Sequence, residues 1–164
     1  MLHTQIAQFC KTKKFTSKEN LSLMTAQNFL QSSVCSLSKT PEGIVDSFLA
    51  HMNSFNTETM LGFYEEDAIF INDNGEPRRG KMEIAGELEY FFKFGLPMKI
   101  TTKNIYVDGN LASLILDWSI TGVANNGEKV CVRGTSNDYA RRGIDGYWRY
   151  WFENPFGVKV RSLF

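Results

Sequence analysis

Residues 98–154 read MKITTKNIYVDGNLASLILDWSITGVANNGEKVCVRGTSNDYARRGIDGYWRYWFEN, and this stretch decides the fold. Three turn signals cut it: Asp108-Gly109, Asn126-Gly127 and Asp145-Gly146. Asn-Gly and Asp-Gly supply the positive φ that tight hairpins need. The segments between them, at 98–107, 111–124, 128–142 and 147–154, are rich in β-branched and aromatic residues. Parallel neighbours require a crossover of a dozen or more residues, and these turns are far too short. The stretch therefore predicts a meander of four long antiparallel strands.

Alternation assigns the faces. In the second segment Ala112, Leu114, Leu116, Trp118 and Ile120 make the apolar side. Ser113, Asp117 and Ser119 lie opposite, so Asp117 is expected on the outer face. In the third, Val130, Val132, Gly134, Ser136 and Asp138 share the inner face, while Arg133, Thr135, Asn137, Tyr139 and Arg141 share the outer one. Asp138 thus points inward, where a carboxyl group is costly unless it is paired or protonated. Pairing with Arg141, Arg142 or the backbone would make it structural; protonation would make it a donor to a ligand. In the last segment Trp148, Tyr150, Phe152 and Asn154 fall on one face and Trp151 on the other. Ile105, Ile115, Cys131, Tyr139 and Trp151 fall on the outer face. Exposed apolar surface of that extent predicts a homodimer through this face.

Before the meander the texture is helical. Thr40 suits an N-cap and Pro41 the first helical position. Ile44, Val45, Phe48, Leu49, Met52 and Phe55 recur at helical spacing over 41–55. Asn56 caps a shorter helix through Met60, Leu61 and Tyr64, and Ala68 to Ile71 forms a short strand. Asp73-Asn74-Gly75 turns the chain, and Arg78-Arg79-Gly80 leads into a third helix burying Ile84, Leu88, Phe91 and Phe92. Helices followed by a meander give an α+β class: a cone-shaped, curved antiparallel sheet wrapped around N-terminal helices, with one internal pocket. The 13 phenylalanines imply a bulky core or aromatic pocket walls.

Residues 1–39 read as a basic extension before a domain at 40–164. Lys11, Lys13, Lys14, Lys18 and Lys39 stand against Glu19 alone, so this arm carries +4 and the remainder −4. A helical arm with Leu2, Ile6, Phe9 and Cys10 on one face, or a mobile tail, both fit it. The net charge of zero argues against nucleic acid as a partner. No apolar run is long enough to span a bilayer, and no apolar leader is evident. Cys10, Cys35 and Cys131 form neither a disulfide framework nor a zinc motif, which suits a reducing, cytoplasmic setting. His3 and His51 lack carboxylates at metal spacing, and no phosphate loop or dinucleotide fingerprint occurs. No metal or cofactor is expected.

Several motifs, in order over about 117 residues, resemble one superfamily. Phe63-Tyr64-Glu65-Glu66-Asp67-Ala68-Ile69-Phe70, Arg79-Gly80 with Ile84, Asp117-Trp118 with Gly122, and Asp145-Gly146-Tyr147-Trp148-Arg149 followed by Asn154-Pro155-Phe156-Gly157 look like the nuclear transport factor 2-like, SnoaL-like (ketosteroid-isomerase-like) proteins. The resemblance implies a conical cavity and frequent dimerisation. It implies no single activity, since this fold hosts isomerases, cyclases, dehydratases, binders and assembly domains. In ketosteroid-isomerase-like proteins a carboxylic acid stands at the place of Asp138 and stays protonated to donate to a ligand oxygen. Phe48 falls where the resemblance implies a tyrosine, and Asn72 where it implies the aspartate base. An amide cannot take up a proton at neutral pH, so the isomerase mechanism is not expected.

Asp138 is therefore the catalytic or recognition candidate, with Phe48, Tyr64, Asn72, Trp118, Tyr150 and Asn154 as ligand-binding candidates. The expected function is binding of a small apolar or mixed ligand in an aromatic-lined pocket. Acid–base chemistry on a polyketide- or steroid-like substrate, and a dimeric protein-interaction module, are the alternatives.

Overall fold

The computed structural model describes residues 36–157; the expectations made for the earlier part of the basic arm lie outside the described residues. Thr40 Oγ1 accepts from the Gly43 N–H at 3.3 Å and opens α1 (Pro41–Met52), whose Ile44, Val45, Phe48 and Met52 are buried. Asn56 Oδ1 accepts from the Thr59 N–H at 2.8 Å and opens α2 (Thr57–Leu61). This helix stops sooner than its apolar pattern suggests. Tyr64, expected at its end, instead begins β1 (Tyr64–Ile71) and pairs with Tyr150. A short β2 (Pro77–Arg79) follows the turn, and α3 (Gly80–Phe92) buries Ile84, Leu88 and Phe91.

The meander forms as expected: β3 (Met98–Asp108), β4 (Leu111–Val123), β5 (Lys129–Arg142) and β6 (Trp148–Glu153) pair antiparallel in sequence. The glycines of the three hairpins take positive φ of 60°, 84° and 82°. The six-stranded sheet runs β2-β1-β6-β5-β4-β3 and does not close. Its one parallel pair is β1 with β6. The chain between these strands is long enough for the crossover that parallel pairing needs.

Two register shifts change the expected faces. The β3–β4 ladder passes from Thr102↔Leu116 to Asn104↔Ile115, so Lys103 is an extra residue. Such a bulge reverses the alternation beyond it. Ile105 consequently stands opposite Leu114 and packs on the core, not on the outer face where strict alternation put it. In β6 the ladder passes from Ala140↔Tyr150 to Tyr139↔Phe152, so Trp151 is extra. Phe152 therefore leaves the inner face and packs edge-on against Tyr139, with centroids 6.0 Å apart. Trp151 lies beneath the Arg141 guanidinium at 4.7 Å.

The concave face carries the core. Leu114, Leu116, Trp118 and Ile120 of β4 and Val130 and Ala140 of β5 are buried beneath the helices. Asp117 lies on the outer face as expected, ion-paired to Lys103 at 2.9 Å and accepting from Thr135 Oγ1 at 2.7 Å.

Candidate functional site

Between α1 and the concave sheet lies a cavity of about 30 Å³. A single water needs roughly 10–15 Å³ by this measure, so the cavity has room for about two. Its walls are Phe48 and Met52 of α1, Phe91 of α3, Met98 and Ile100 of β3, Leu116 and Trp118 of β4, Tyr150 of β6, and Pro155. Ser136 and Asp138 of β5 supply its polar side chains.

Asp138 is 2% exposed. Ser136 Oγ donates to its Oδ2 at 2.6 Å, and the Asn154 N–H donates to its Oδ1 at 2.9 Å. Of the structural partners considered for it, the backbone is present, through the Asn154 N–H, whereas neither arginine reaches it. Arg141 pairs with Glu65, and Arg142 Nε donates to the Gly146 carbonyl at 3.3 Å. No ion pair of Asp138 occurs among the described residues. Burial pushes its carboxyl from 3.8 up to about 7, against the opposing pull of the two hydrogen bonds.

Tyr150 is also 2% exposed, and its ring meets Phe48 edge-on at 5.2 Å. Its hydroxyl makes no hydrogen bond among the described residues. The one fully buried side-chain atom without a partner among the described residues is Arg141 Nε, so the Tyr150 hydroxyl keeps some exposure and is available as a donor. Phe48 lacks a hydroxyl, and its neighbour across the ring contact carries one.

The remaining sequence candidates divide. Trp118 is a cavity wall, and its Nε1–H donates to the Pro155 carbonyl at 2.6 Å. This bond pins the chain after β6 onto the sheet. Gly134 permits it, because a Cβ there would sit 2.7 Å from the Pro155 oxygen and 2.9 Å from Trp118 Nε1. Asn154 reaches Asp138 through its backbone N–H, whereas its side-chain amide donates to the Gly157 carbonyl at 3.1 Å. Asn72 is buried, but its Oδ1 accepts from the N–H groups of Asn74 and Glu76 and its Nδ2 donates to Glu76. Its polar atoms organise the β1–β2 turn and do not line the cavity. Tyr64 is buried behind the cavity wall, where its hydroxyl donates to Glu153 Oε2.

Two polar residues of the inner face escaped the sequence candidates. Ser136 was legible, since it shares the alternation of Asp138. Glu153 was not: the extra residue Trp151 turns it from the outer face to the interior. Burial pushes its carboxyl up to about 8, the charge of Asp138 adds to the rise, and the Tyr64 hydrogen bond opposes it. Burial likewise raises the hydroxyls of Tyr64 and Tyr150 above their ordinary range.

A wider recess of about 650 Å³ lies on the outer face, lined by Lys99, Thr101, Asp117, Ser119, Arg133 and Thr135 among others. It is a polar groove whose carboxylate, Asp117, lies at the surface and is already ion-paired to Lys103. The apolar cavity beside Asp138 is the better site.

Known proteins agree with this architecture. The chain matches the SnoaL-like domain over residues 45–154. No curated protein matches it. Among solved structures, a ketosteroid isomerase-like protein from Erwinia carotovora atroseptica is similar, with TM-score 0.61, 16% identity, and coverage of 69% of this chain and 89% of that one. A putative calcium/calmodulin-dependent protein kinase II association domain from Xanthomonas campestris has TM-score 0.60 at 17% identity, covering 73% and 86%. A nuclear transport factor 2-like superfamily protein from Salmonella enterica has TM-score 0.58 at 19% identity, covering 72% and 89%. Structures at such identities share the fold alone, but the family match spans most of the chain and its conical core is present, and the chain belongs to the SnoaL-like domain family.

Proposed function

We propose that the domain binds a small, mainly apolar molecule through one oxygen atom, gripped by Asp138 and Tyr150. One observation carries the reading: a small, mainly apolar cavity is lined by both Tyr150 and Asp138, a buried carboxyl with no cation beside it among the described residues. A carboxyl kept protonated by burial donates a hydrogen bond, as does a tyrosine hydroxyl, so the two suit a carbonyl or phenolic oxygen. The surrounding Phe48, Phe91 and Trp118 suit a flat apolar body. The cavity as it stands holds only about two waters, so even a single-ring molecule must displace Met52 and Met98, the unbranched and adaptable side chains of the wall.

The outer face fits a second copy of the chain. Tyr106 there is 60% exposed, and Ile115, Tyr139, Trp151 and Phe152 add partly exposed apolar area.

Binding can be followed through the fluorescence of the tryptophans, since Trp118 lines the cavity. The probe is a small cyclic enone, compared with the cycloalkene of the same ring. The enone should bind and the hydrocarbon should bind at least several-fold more weakly. Tyr150→Phe should weaken enone binding about tenfold, the worth of one hydrogen bond in a dry site. Equal binding of enone and hydrocarbon, or an indifferent Tyr150→Phe, would refute the reading.

A further inference from the structure

One strand edge inside the sheet is only half covered. β5 has 14 residues and β6 has 6, and their ladder spans only Tyr139↔Phe152 to Arg142↔Trp148. One further bond extends it, from the Asn137 N–H to the Asn154 carbonyl at 3.1 Å. There the chain turns: Gly157, at φ 54°, donates to the same carbonyl at 3.0 Å and lies against the Thr135 carbonyl. Residues 129–133 of β5 thus have β4 on one side and no strand on the other, among the described residues. Alternation fixes what this edge presents. β4 and β5 pair without a register shift from Leu111↔Arg141 to Val123↔Lys129. The Asn137 N–H points away from β4, and so do the backbone groups of every second residue before it. Lys129, Cys131 and Arg133 therefore aim N–H and C=O groups at the uncovered side, while Val130, Val132 and Gly134 bond to β4. Such an edge is a template for one more strand.

The space beside it is shaped for side chains as well. A recess of about 410 Å³ runs along the edge, lined by Tyr90, Val132, Arg133 and Phe156 among others. Its one acid, Asp73, lies past the end of β1, two strands from β5 in the sheet order. Arg133 also lines the outer groove, beside Lys99. Among the described residues no carboxylate pairs with Lys99, Lys129 or Arg133. Side chains of an added strand would alternate between the two sides. Those on the inner side would meet Tyr90, Val132 and Phe156; those on the outer side would meet Lys129 and Arg133. We propose that this edge of β5 docks an extended segment of another protein in which acidic residues alternate with apolar ones. Backbone bonds would supply the affinity and the two sets of side chains the selectivity. The charges disfavour the nearer occupants. Residues 1–35 hold Lys11, Lys13, Lys14 and Lys18 against Glu19, and residues 158–164 hold Lys159 and Arg161 with no acid. The β5 edge of a second copy would set Lys129 and Arg133 against their own kind, and like charges across a ladder are destabilising.

Backbone amide hydrogen exchange of the full chain, followed by NMR, tests the edge. In the free protein the Cys131 and Arg133 amides should exchange fast and those of Val130, Val132 and Gly134 slowly. The probe is a blocked Glu-Val-Glu-Val-Glu peptide, with Lys-Val-Lys-Val-Lys as its counterpart. The acidic peptide should slow the Cys131 and Arg133 amides, and the basic one should bind several-fold more weakly. Arg133→Glu should reverse that preference. Cys131→Pro removes a donor aimed at the recess without touching the β4 ladder, and should abolish binding; Cys131→Val keeps the donor and should bind like wild type. Amide spectra show whether each variant is folded, and the wild-type exchange pattern and peptide preference decide even if one is not. Slow Cys131 and Arg133 amides in the free chain would show that the edge is already covered and would overturn the proposal. So would equal binding of the two peptides, or no binding of the acidic one.

Discussion

Replacing Asp138 with Asn should make the domain more stable above neutral pH and leave it nearly unchanged in mild acid. The amide can keep the geometry: its Oδ1 accepts from the Asn154 N–H, and its Nδ2 donates to Ser136 Oγ, a hydroxyl that can accept as well as donate. The pH dependence follows from the raised carboxyl. Its ordinary value is 3.8 and its value in the fold is about 7, so between these limits the folded state carries a proton that the unfolded state has released. Stability therefore falls as pH rises through that window and levels off above it. Each unit of displacement is worth about 1.4 kcal/mol, so Asp138 alone removes on the order of 4 kcal/mol between about pH 4 and pH 8. Glu153, also raised, steepens the fall and extends it to slightly higher pH. In Asp138→Asn the Asp138 contribution vanishes. Urea unfolding at about pH 4 and about pH 8 should then show the variant within ~1 kcal/mol of wild type at the lower pH. At the higher pH it should be more stable by a few kcal/mol. A wild-type stability that is constant or rises between these pH values would refute the reasoning. So would a loss of about 3–5 kcal/mol in the variant at both pH values, the signature of a stranded buried cation.

Other perturbations probe the frame around the site. Gly134→Ala would bring a Cβ to 2.7 Å from the Pro155 carbonyl and displace the Trp118 hydrogen bond; thermal melting should show a loss of about 1–3 kcal/mol. Asn56→Ala removes the acceptor that opens α2 and should cost about 1 kcal/mol in the same assay. Light scattering at tens of micromolar protein should give a dimer, and Ile115→Glu should convert it to a folded monomer; a monomeric wild type would contradict the role assigned to the outer face.

The legible parts of the fold were those that local chemistry decides. Thr40 and Asn56 cap helices, Asn126-Gly127 and its two counterparts turn hairpins, and simple alternation placed Ser136 and Asp138 inside and Asp117 outside. The parts that were not legible depend on chains that meet from far apart in sequence. Whether Lys103 or Trp151 is an extra residue is decided by the strand lying beside it, and one such residue reverses every face beyond it. That is why Ile105 and Phe152 were misplaced and Glu153 passed unnoticed. Tyr64 reads as the end of a helix until β6 is available to pair with it. The cavity volume was likewise hidden, because it depends on how Phe48, Met52 and Tyr150 pack and not on their being aromatic or apolar.

The central claim is that Asp138 and Tyr150 donate together to one ligand oxygen. The infrared carbonyl stretch of the bound cyclic enone reports those two hydrogen bonds directly. With the wild type at about pH 6 the band should move to lower frequency than in an apolar solvent. Tyr150→Phe should reverse part of the shift, and Asp138→Leu most of the rest. Asp138→Asn, which keeps a donor, should retain more of it than Asp138→Leu. A bound carbonyl whose frequency matches the apolar solvent, or one that both substitutions leave unchanged, would contradict the account.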